Sequence, residues 1–143
     1  MESGEAVVHG PRRIDYERWL AYLAGYLDGE GCFRWHSGPQ IEIENTFPTT
    51  LDEVRRTFGG GVKKVRRAKV KNHRTAWKWY VRGDNALDTV EMVMPFLIEK
   101  RRQAELLLMI GDYPLGSSQR EMMMTELKSL KRIDYGGFRP DAG

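Results

Sequence analysis

The stretch Leu23-Ala24-Gly25-Tyr26-Leu27-Asp28-Gly29-Glu30-Gly31 closes a segment with the residue pattern of an amphipathic helix. Asp15 has the side chain of a helix N-cap, and we predict a helix from Tyr16 to Asp28. The apolar residues of this segment follow helical spacing and predict one buried face: Trp19, Leu20, Leu23, Ala24 and Leu27. Gly29 and Gly31 flank Glu30 at the point where the chain must turn.

Small residues recur at every fourth position of the same helix, at Ala21, Gly25 and Gly29. Glycine inside a helix costs about 1 kcal/mol relative to alanine, so its presence needs a reason. A stripe of small side chains lets a second backbone approach closely. The stripe therefore indicates helix packing, although a helix with a polar end can also be an ordinary core helix.

Residues 23–31 resemble the motif of the LAGLIDADG homing endonucleases. Five of the nine positions are identical to the motif: Leu23, Ala24, Gly25, Asp28 and Gly31. The motif occurs once, and members of this family with one motif act as homodimers whose motif helices pack across the two-fold axis. The resemblance implies a C2 dimer on a pseudo-palindromic DNA target. Its interface would contain Ala21, Gly25, Asp28 and Gly29.

Length and composition predict one domain at residues 14–133, between tails at 1–13 and 134–143. The chain has 143 residues, of which 41% are hydrophobic, enough for a core. It has neither an apolar run of membrane-spanning length nor a signal peptide pattern, so we expect an intracellular protein without a membrane partner. Cys32 is the only cysteine, which excludes an intrachain disulfide and a zinc site of several thiolates.

Basic residues are concentrated between Val62 and Arg82. This stretch contains nine Lys or Arg and no acid, and subtracting these nine charges from the net charge of +3 leaves −6 for the remainder. A basic block interleaved with Trp77, Trp79 and Tyr80 favours a polyanionic partner, most simply nucleic acid. The alternative is a solvated basic hairpin that only aids solubility.

The remaining chain predicts two hairpins and further helices. We predict strands at Cys32–Trp35 and Gln40–Asn45, then at Val62–Ala68 and Thr75–Arg82 around Lys71-Asn72-His73. Between the hairpins a capping box at Thr50–Glu53 opens a helix that ends at Gly59-Gly60-Gly61. Later helices are predicted at Ala86–Met94, at Phe96–Ile110 and from the capping box at Ser118–Glu121 to Ile133.

This order agrees with an α+β fold of the LAGLIDADG type, αββαββα, in which a curved antiparallel four-stranded sheet binds DNA in the major groove. One candidate group faces the bases: Arg34, His36, Gln40, Glu42, Glu44, Arg66, Lys78, Tyr80 and Arg82. A second group would hold phosphates: Lys64, Arg67, Lys69 and Lys71. Trp77, Trp79 and Val81 then face the core, whereas a one-residue shift would turn the tryptophans toward DNA.

The resemblance also implies a catalytic centre that hydrolyses phosphodiesters with Mg²⁺, for which Mn²⁺ is expected to substitute. Glu30 would be the metal ligand, assisted by the carbonyl of Gly29, and Asp28 would be structural. Lys100, in the segment Pro95–Ala104, matches a catalytic lysine of single-motif members. Asn45 matches a polar residue that helps to organise water near the scissile phosphate.

The resulting hypothesis is a site-specific homing endonuclease that makes double-strand breaks in DNA and leaves 3′ overhangs. The alternative is a non-cleaving DNA- or RNA-binding relative, such as an intron maturase or a transcription regulator. Glu30 and Lys100 together favour the nuclease, since binding alone needs neither residue. A third possibility is a basic α+β domain without catalysis.

Overall fold

The computed structural model describes residues 15–65 and 74–141, in which helices and strands follow the predicted order. The helices are α1 (Tyr16–Glu30), α2 (Pro48–Phe58), α3 (Gly83–Val93), α4 (Arg101–Ile110) and α5 (Ser118–Leu130). The strands are β1 (Gly31–Trp35), β2 (Pro39–Asn45), β3 (Gly61–Lys64) and β4 (Trp77–Arg82). The α+β class and the αββαββα core are confirmed. The predicted turn at residues 71–73 lies outside the described residues.

The four strands form one antiparallel sheet in the order β1-β2-β4-β3. One face is apolar and packs against the helices, because Phe33 pairs with Ile41 and Ile43 pairs with Trp79. Trp79 is fully buried, and its indole Nε1 donates a 2.9 Å hydrogen bond to the carbonyl of Gly59. The expected register of β4, with its tryptophans toward the core, is therefore confirmed.

Helix α1 buries the predicted apolar face. Asp15 caps it by accepting a 2.8 Å hydrogen bond from the backbone N–H of Arg18. Trp19, Leu23, Ala24 and Leu27 are buried, and Leu20 packs against them while partly exposed. The helix runs two residues beyond the predicted end and passes directly into β1. This junction requires Gly31, since a Cβ there would lie 2.7 Å from the carbonyl oxygen of Leu27.

The predicted start of α2 at Thr50 is wrong by two residues. The helix begins at Pro48, whose ring presets the helical φ in the first turn, and its N-cap Phe47 makes no side-chain capping bond. The end of β2 contributes instead, because Asn45 Oδ1 accepts a 3.1 Å bond from the N–H of Phe47. The buried face of Leu51, Val54 and Phe58 is as predicted.

The later helices also differ from prediction at their ends. Ser117, one residue before the predicted Ser118, caps α5 by accepting from the N–H of Arg120, and the helix stops at Leu130 rather than Ile133. Met94–Phe96 forms a single 3-10 turn, and α4 starts at Arg101 instead of Phe96. Within residues 15–65 and 74–141, no helix is long and apolar enough to cross a membrane.

The turn between α2 and β3 should be intolerant of a side chain at Gly60. Gly60 has a φ of 84°, and a Cβ there would lie 2.1 Å from the carbonyl oxygen of Tyr80. We expect Gly60→Ala to lower the free energy of unfolding by more than about 1 kcal/mol in urea titrations. Gly137→Ala, where a Cβ meets open space, is the control. Equal stability of the two variants would contradict the expected clash with Tyr80.

Candidate active site and nucleic-acid interface

The carboxylate of Asp28, near the end of α1, binds the backbone that leads into α4. Its Oδ2 accepts hydrogen bonds from the N–H groups of Ile98 at 2.8 Å and Glu99 at 3.3 Å. Its Oδ1 accepts from the N–H of Lys100 at 3.0 Å. A negative charge near a helix N-terminus is favourable, and these bonds join the segment that precedes α4 to the end of α1. Asp28 therefore makes structural contacts within its own protomer.

Lys100 returns a bond to the same helix end. Its Nζ donates to the backbone carbonyl of Asp28, and it also lies 3.5 Å from the carboxylate of Glu99. The Lys100 side chain is only 12% exposed, so it is not an ordinary solvated helix lysine. The ammonium lies at the C-terminal end of α1, where unpaired carbonyls carry partial negative charge.

Glu30 and Gly29 are exposed at this end of α1. The N–H of Gly31 bonds to the carbonyl of Leu27, and Lys100 takes the carbonyl of Asp28. The helix itself offers no partner to the carbonyl of Gly29. A carboxylate and a carbonyl are oxygen donors of the kind that Mg²⁺ accepts, and Mg²⁺ keeps several waters. The described residues contain no cluster of three or more His, Cys, Asp or Glu that could hold a metal.

Asn45 lies beside the same helix. Its Nδ2 donates a 3.0 Å hydrogen bond to the hydroxyl of Tyr26, one turn before Glu30 on α1. Burial raises the pKa of the Tyr26 hydroxyl; the bond from Asn45 opposes this rise and the charge of Glu30 adds to it. Asn45 and Lys100 therefore each contact α1 within its last five residues, which include Glu30.

The stripe of small residues on α1 is open. Gly25 and Gly29 are exposed, and a Cβ at either would meet no atom within 4 Å, while Ala21 is half-buried. Tyr22 is 54% exposed beside the stripe and stacks on Trp19 with ring centroids 5.4 Å apart. This helix face has the space that a second backbone would need.

The sheet face opposite the apolar core, here called the open face, carries a charged network. The Nη2 of Arg34 lies 2.6 Å from Oε2 of Glu42, and Nζ of Lys78 lies 3.4 Å from Oε1. Burial would raise the pKa of Glu42, but the hydrogen bond and charge of Arg34, together with Lys78, lower it overall. Glu42 is therefore held ionised between two cations from neighbouring strands.

The open face also contains Lys63, which sequence reasoning missed. Lys63 pairs with Lys78 across the β3–β4 ladder, so both side chains project to the open face, whereas the predicted Lys64 pairs with Trp77 on the other face. Lys64 was predicted to hold a phosphate and not to face the bases, and it is exposed on the face of Trp77. Like charges directly opposite each other destabilise a sheet, and a bound polyanion would relieve this repulsion.

Two cations of the open face stack on an aromatic ring. Lys63 Nζ and Arg82 Cζ lie 5.1 and 5.5 Å from the ring centroid of Tyr80. Gln40 is 8% exposed and donates from Nε2 to the carbonyl of His36 at 3.2 Å, so its amide braces the β1–β2 turn. Glu44 pairs with Lys78 in the β2–β4 ladder. The predicted Arg66, Arg67, Lys69 and Lys71 lie outside the described residues.

Helix α5 forms one wall of a groove along the open face. Lys131 Nζ reaches to 3.6 Å from the sulfur of Cys32 on β1. Sequence reasoning missed the α5 residues because only tertiary packing brings the end of that helix to β1. The groove holds one acid, Glu42, and six Lys or Arg: Arg34, Lys63, Lys78, Arg82, Lys128 and Lys131. Such a surface suits an extended polyanion.

The sequence matches no protein-family model and no curated protein. Among solved structures, the archaeal intron-encoded homing endonuclease I-Vdi141I, complexed with DNA, aligns with a TM-score of 0.64 and 16% identity over 87% of this chain and 89% of that chain. The homing endonuclease I-CvuI, bound to its target in the presence of Ca, aligns with a TM-score of 0.59 and 21% identity over 87% of each chain.

A second structure of I-CvuI, bound to the I-CreI target in the presence of Mg with the DNA not cleaved, aligns with a TM-score of 0.58 and 21% identity. It covers 87% of this chain and 88% of that chain. The alignments cover most of both chains in all three cases. This chain therefore has the fold of the LAGLIDADG homing endonucleases, as residues 23–31 predicted.

Proposed function

We propose that this protein is a homodimeric, Mg²⁺-dependent DNA endonuclease of the homing type, which cuts both strands of a long pseudo-palindromic target and leaves 3′ overhangs. The observation that carries this proposal is the bond from Lys100 Nζ to the carbonyl of Asp28. It joins residues 72 positions apart and brings a largely buried ammonium to the helix end that carries Glu30. A protein that only binds nucleic acid needs no such pairing.

The residues at the end of α1 have distinct parts in this proposal. The Glu30 carboxylate and the Gly29 carbonyl would hold the cation, which supplies Lewis acidity to the phosphate oxygens. Asp28 fixes the loop of Lys100 through three backbone bonds, so the ammonium is preorganised. A fixed positive charge beside the scissile phosphate would stabilise the negative charge that develops there.

The open face supports double-stranded DNA as the substrate. Its groove combines six cations with the Arg34–Glu42–Lys78 network, and its strands present alternate side chains outward. Phosphate contacts would position the duplex, and side chains of the paired strands would read base edges in the major groove. I-CvuI and I-Vdi141I, which share this fold, were each solved with DNA.

Dimerisation would complete the centre. One chain offers one exposed carboxylate and one helix-end carbonyl as oxygen ligands for the cation, at Glu30 and Gly29. Packing two α1 helices along the open stripe would bring two such sets together at a two-fold axis. The same symmetry would place two equivalent sheets on two half-sites of the DNA.

Removing the charge of Glu30 should abolish cleavage and retain binding. We expect Glu30→Gln to lower the single-turnover rate by at least about 100-fold, since several kcal/mol of transition-state stabilisation depends on the cation. The measurement is selection and cutting of a randomised duplex library with Mg²⁺ or Ca²⁺. Glu17→Gln, an exposed acid at the other end of α1, should cut normally. Binding without cutting by the unaltered protein would favour the maturase or regulator alternative.

A large side chain in the stripe should separate the dimer. A Cβ at Gly25 would meet no atom of its own chain within 4 Å, so in Gly25→Leu the protomer should remain folded while the partner helix is excluded. We expect sedimentation velocity to give a dimer for the unaltered protein and a monomer for this variant. Thr125→Leu, an exposed position on α5, should leave the dimer intact. A dimeric Gly25→Leu protein would refute this interface.

Neighbouring lysines on opposite sheet faces should differ in DNA binding. Lys63→Ala removes a cation from the open face, whereas Lys64→Ala removes one from the face of Trp77. We expect Lys63→Ala to reduce the slope of log K against log salt by about 0.9, the value for one lost phosphate contact. Lys64→Ala should leave the slope unchanged in filter-binding titrations. A larger effect of Lys64→Ala would place DNA elsewhere.

A further inference from the structure

The hydroxyl of Tyr26 lies between two residues proposed for the centre. Tyr26 projects from α1 one turn before Glu30, and residues four apart on a helix are surface neighbours. Its hydroxyl accepts the 3.0 Å hydrogen bond from Nδ2 of Asn45. Tyr26, on the helix proposed for the dimer interface, therefore contacts Asn45 at the end of β2.

Both ends of the Asn45 amide are engaged. Its Oδ1 accepts from the N–H of Phe47 at 3.1 Å, and its Nδ2 donates to Tyr26. A 180° flip of the amide would set its N–H against the N–H of Phe47 and lose that bond, even if the phenol turned to donate to the amide oxygen. An amide NH₂ has two donors, and the bond to Tyr26 uses one. The second N–H therefore has a fixed direction near the end of α1.

The backbone brings the end of β2 toward the end of α1. Helix α1 runs directly into β1, and Gly31 pairs with Ile43 in the β1–β2 ladder, two residues before Asn45. The Tyr26 ring packs against the core while partly buried, so its hydroxyl has little freedom to move away.

We propose that Tyr26 is a positioning residue, whose hydroxyl holds the Asn45 amide beside Glu30 so that the free N–H of Asn45 can orient a water or a phosphate oxygen. This inference rests on the proposed nuclease function for its catalytic consequence, but the positioning itself does not. A phenylalanine at position 26 would preserve the packing of the ring. Burying a hydroxyl costs free energy, and the hydrogen bond from Asn45 offsets that cost.

The variant Tyr26→Phe removes one oxygen atom and tests this role. We expect its single-turnover cleavage rate to fall about tenfold, the effect of one lost hydrogen bond of about 1.4 kcal/mol. The Kd for DNA in Ca²⁺ should stay unchanged, and the Tm should fall by no more than the loss of one hydrogen bond causes, because the ring still packs as before. Tyr16→Phe removes a hydroxyl from the other end of α1, where it faces the sulfur of Met92, and should cut normally.

A double-mutant cycle separates positioning from packing. If Tyr26 acts through Asn45, the double variant Tyr26→Phe/Asn45→Ala should cut no more slowly than Asn45→Ala alone. Independent, multiplying losses would show that Tyr26 acts by another route and overturn the proposal. Equal cutting by Tyr26→Phe and the unaltered protein would also overturn it.

Proton exchange of the Asn45 side-chain amide gives a readout that needs no cleavage. In ¹⁵N NMR spectra of the full-length protein, the Nδ2 protons of Asn45 should exchange faster in Tyr26→Phe than in the unaltered protein or in Tyr16→Phe. Unchanged exchange would refute the positioning role. If the unaltered protein cuts no member of the DNA library, the nuclease proposal fails, and this measurement still decides whether Tyr26 holds Asn45.

Discussion

The carboxylate of Asp28 is the constraint on which the centre depends. It binds three consecutive backbone N–H groups, from Ile98 to Lys100, and Lys100 bonds back to the carbonyl of Asp28. These contacts fix the end of α1 against the start of α4, two elements far apart in sequence. Hydrogen bonds to a carboxylate are stronger than neutral ones, and a negative charge near the start of α4 complements the helix dipole. Without them the ammonium of Lys100 would have no defined direction.

A second constraint is the direct passage from α1 into β1. No loop separates α1 from β1, so the position of the helix end is fixed by the pairing of β1 with β2. The last turn of α1, from Tyr26 to Glu30, therefore lies near the end of β2. The same sheet turns its other face outward with the Arg34–Glu42–Lys78 network. One sheet therefore carries the candidate DNA surface and positions the candidate centre near its edge.

Patterns of single elements were predictable from the sequence. The apolar face of α1, its N-cap Asp15 and the inward tryptophan of β4 follow from helical spacing and strand alternation. Helix starts were less predictable. Pro48 opens α2 ahead of the expected capping box, and α4 starts at Arg101 after the 3-10 turn at Met94–Phe96. Caps are decided by whichever partner reaches the backbone, and such a partner can be distant in sequence.

Local sequence was enough to specify the helix that identifies the fold, the alternation of the strands and the basic character of the second hairpin. These properties depend on side chains a few residues apart. Composition indicated that the surface is basic but not which sheet face carries the charge. The pairing of β3 with β4 decides this, because it places Lys63, and not Lys64, opposite Lys78. Packing of the helices on the sheet also brings Lys100 to the end of α1 and Tyr26 to Asn45. Those contacts join distant residues, and their distances and directions exist only after the layers have assembled.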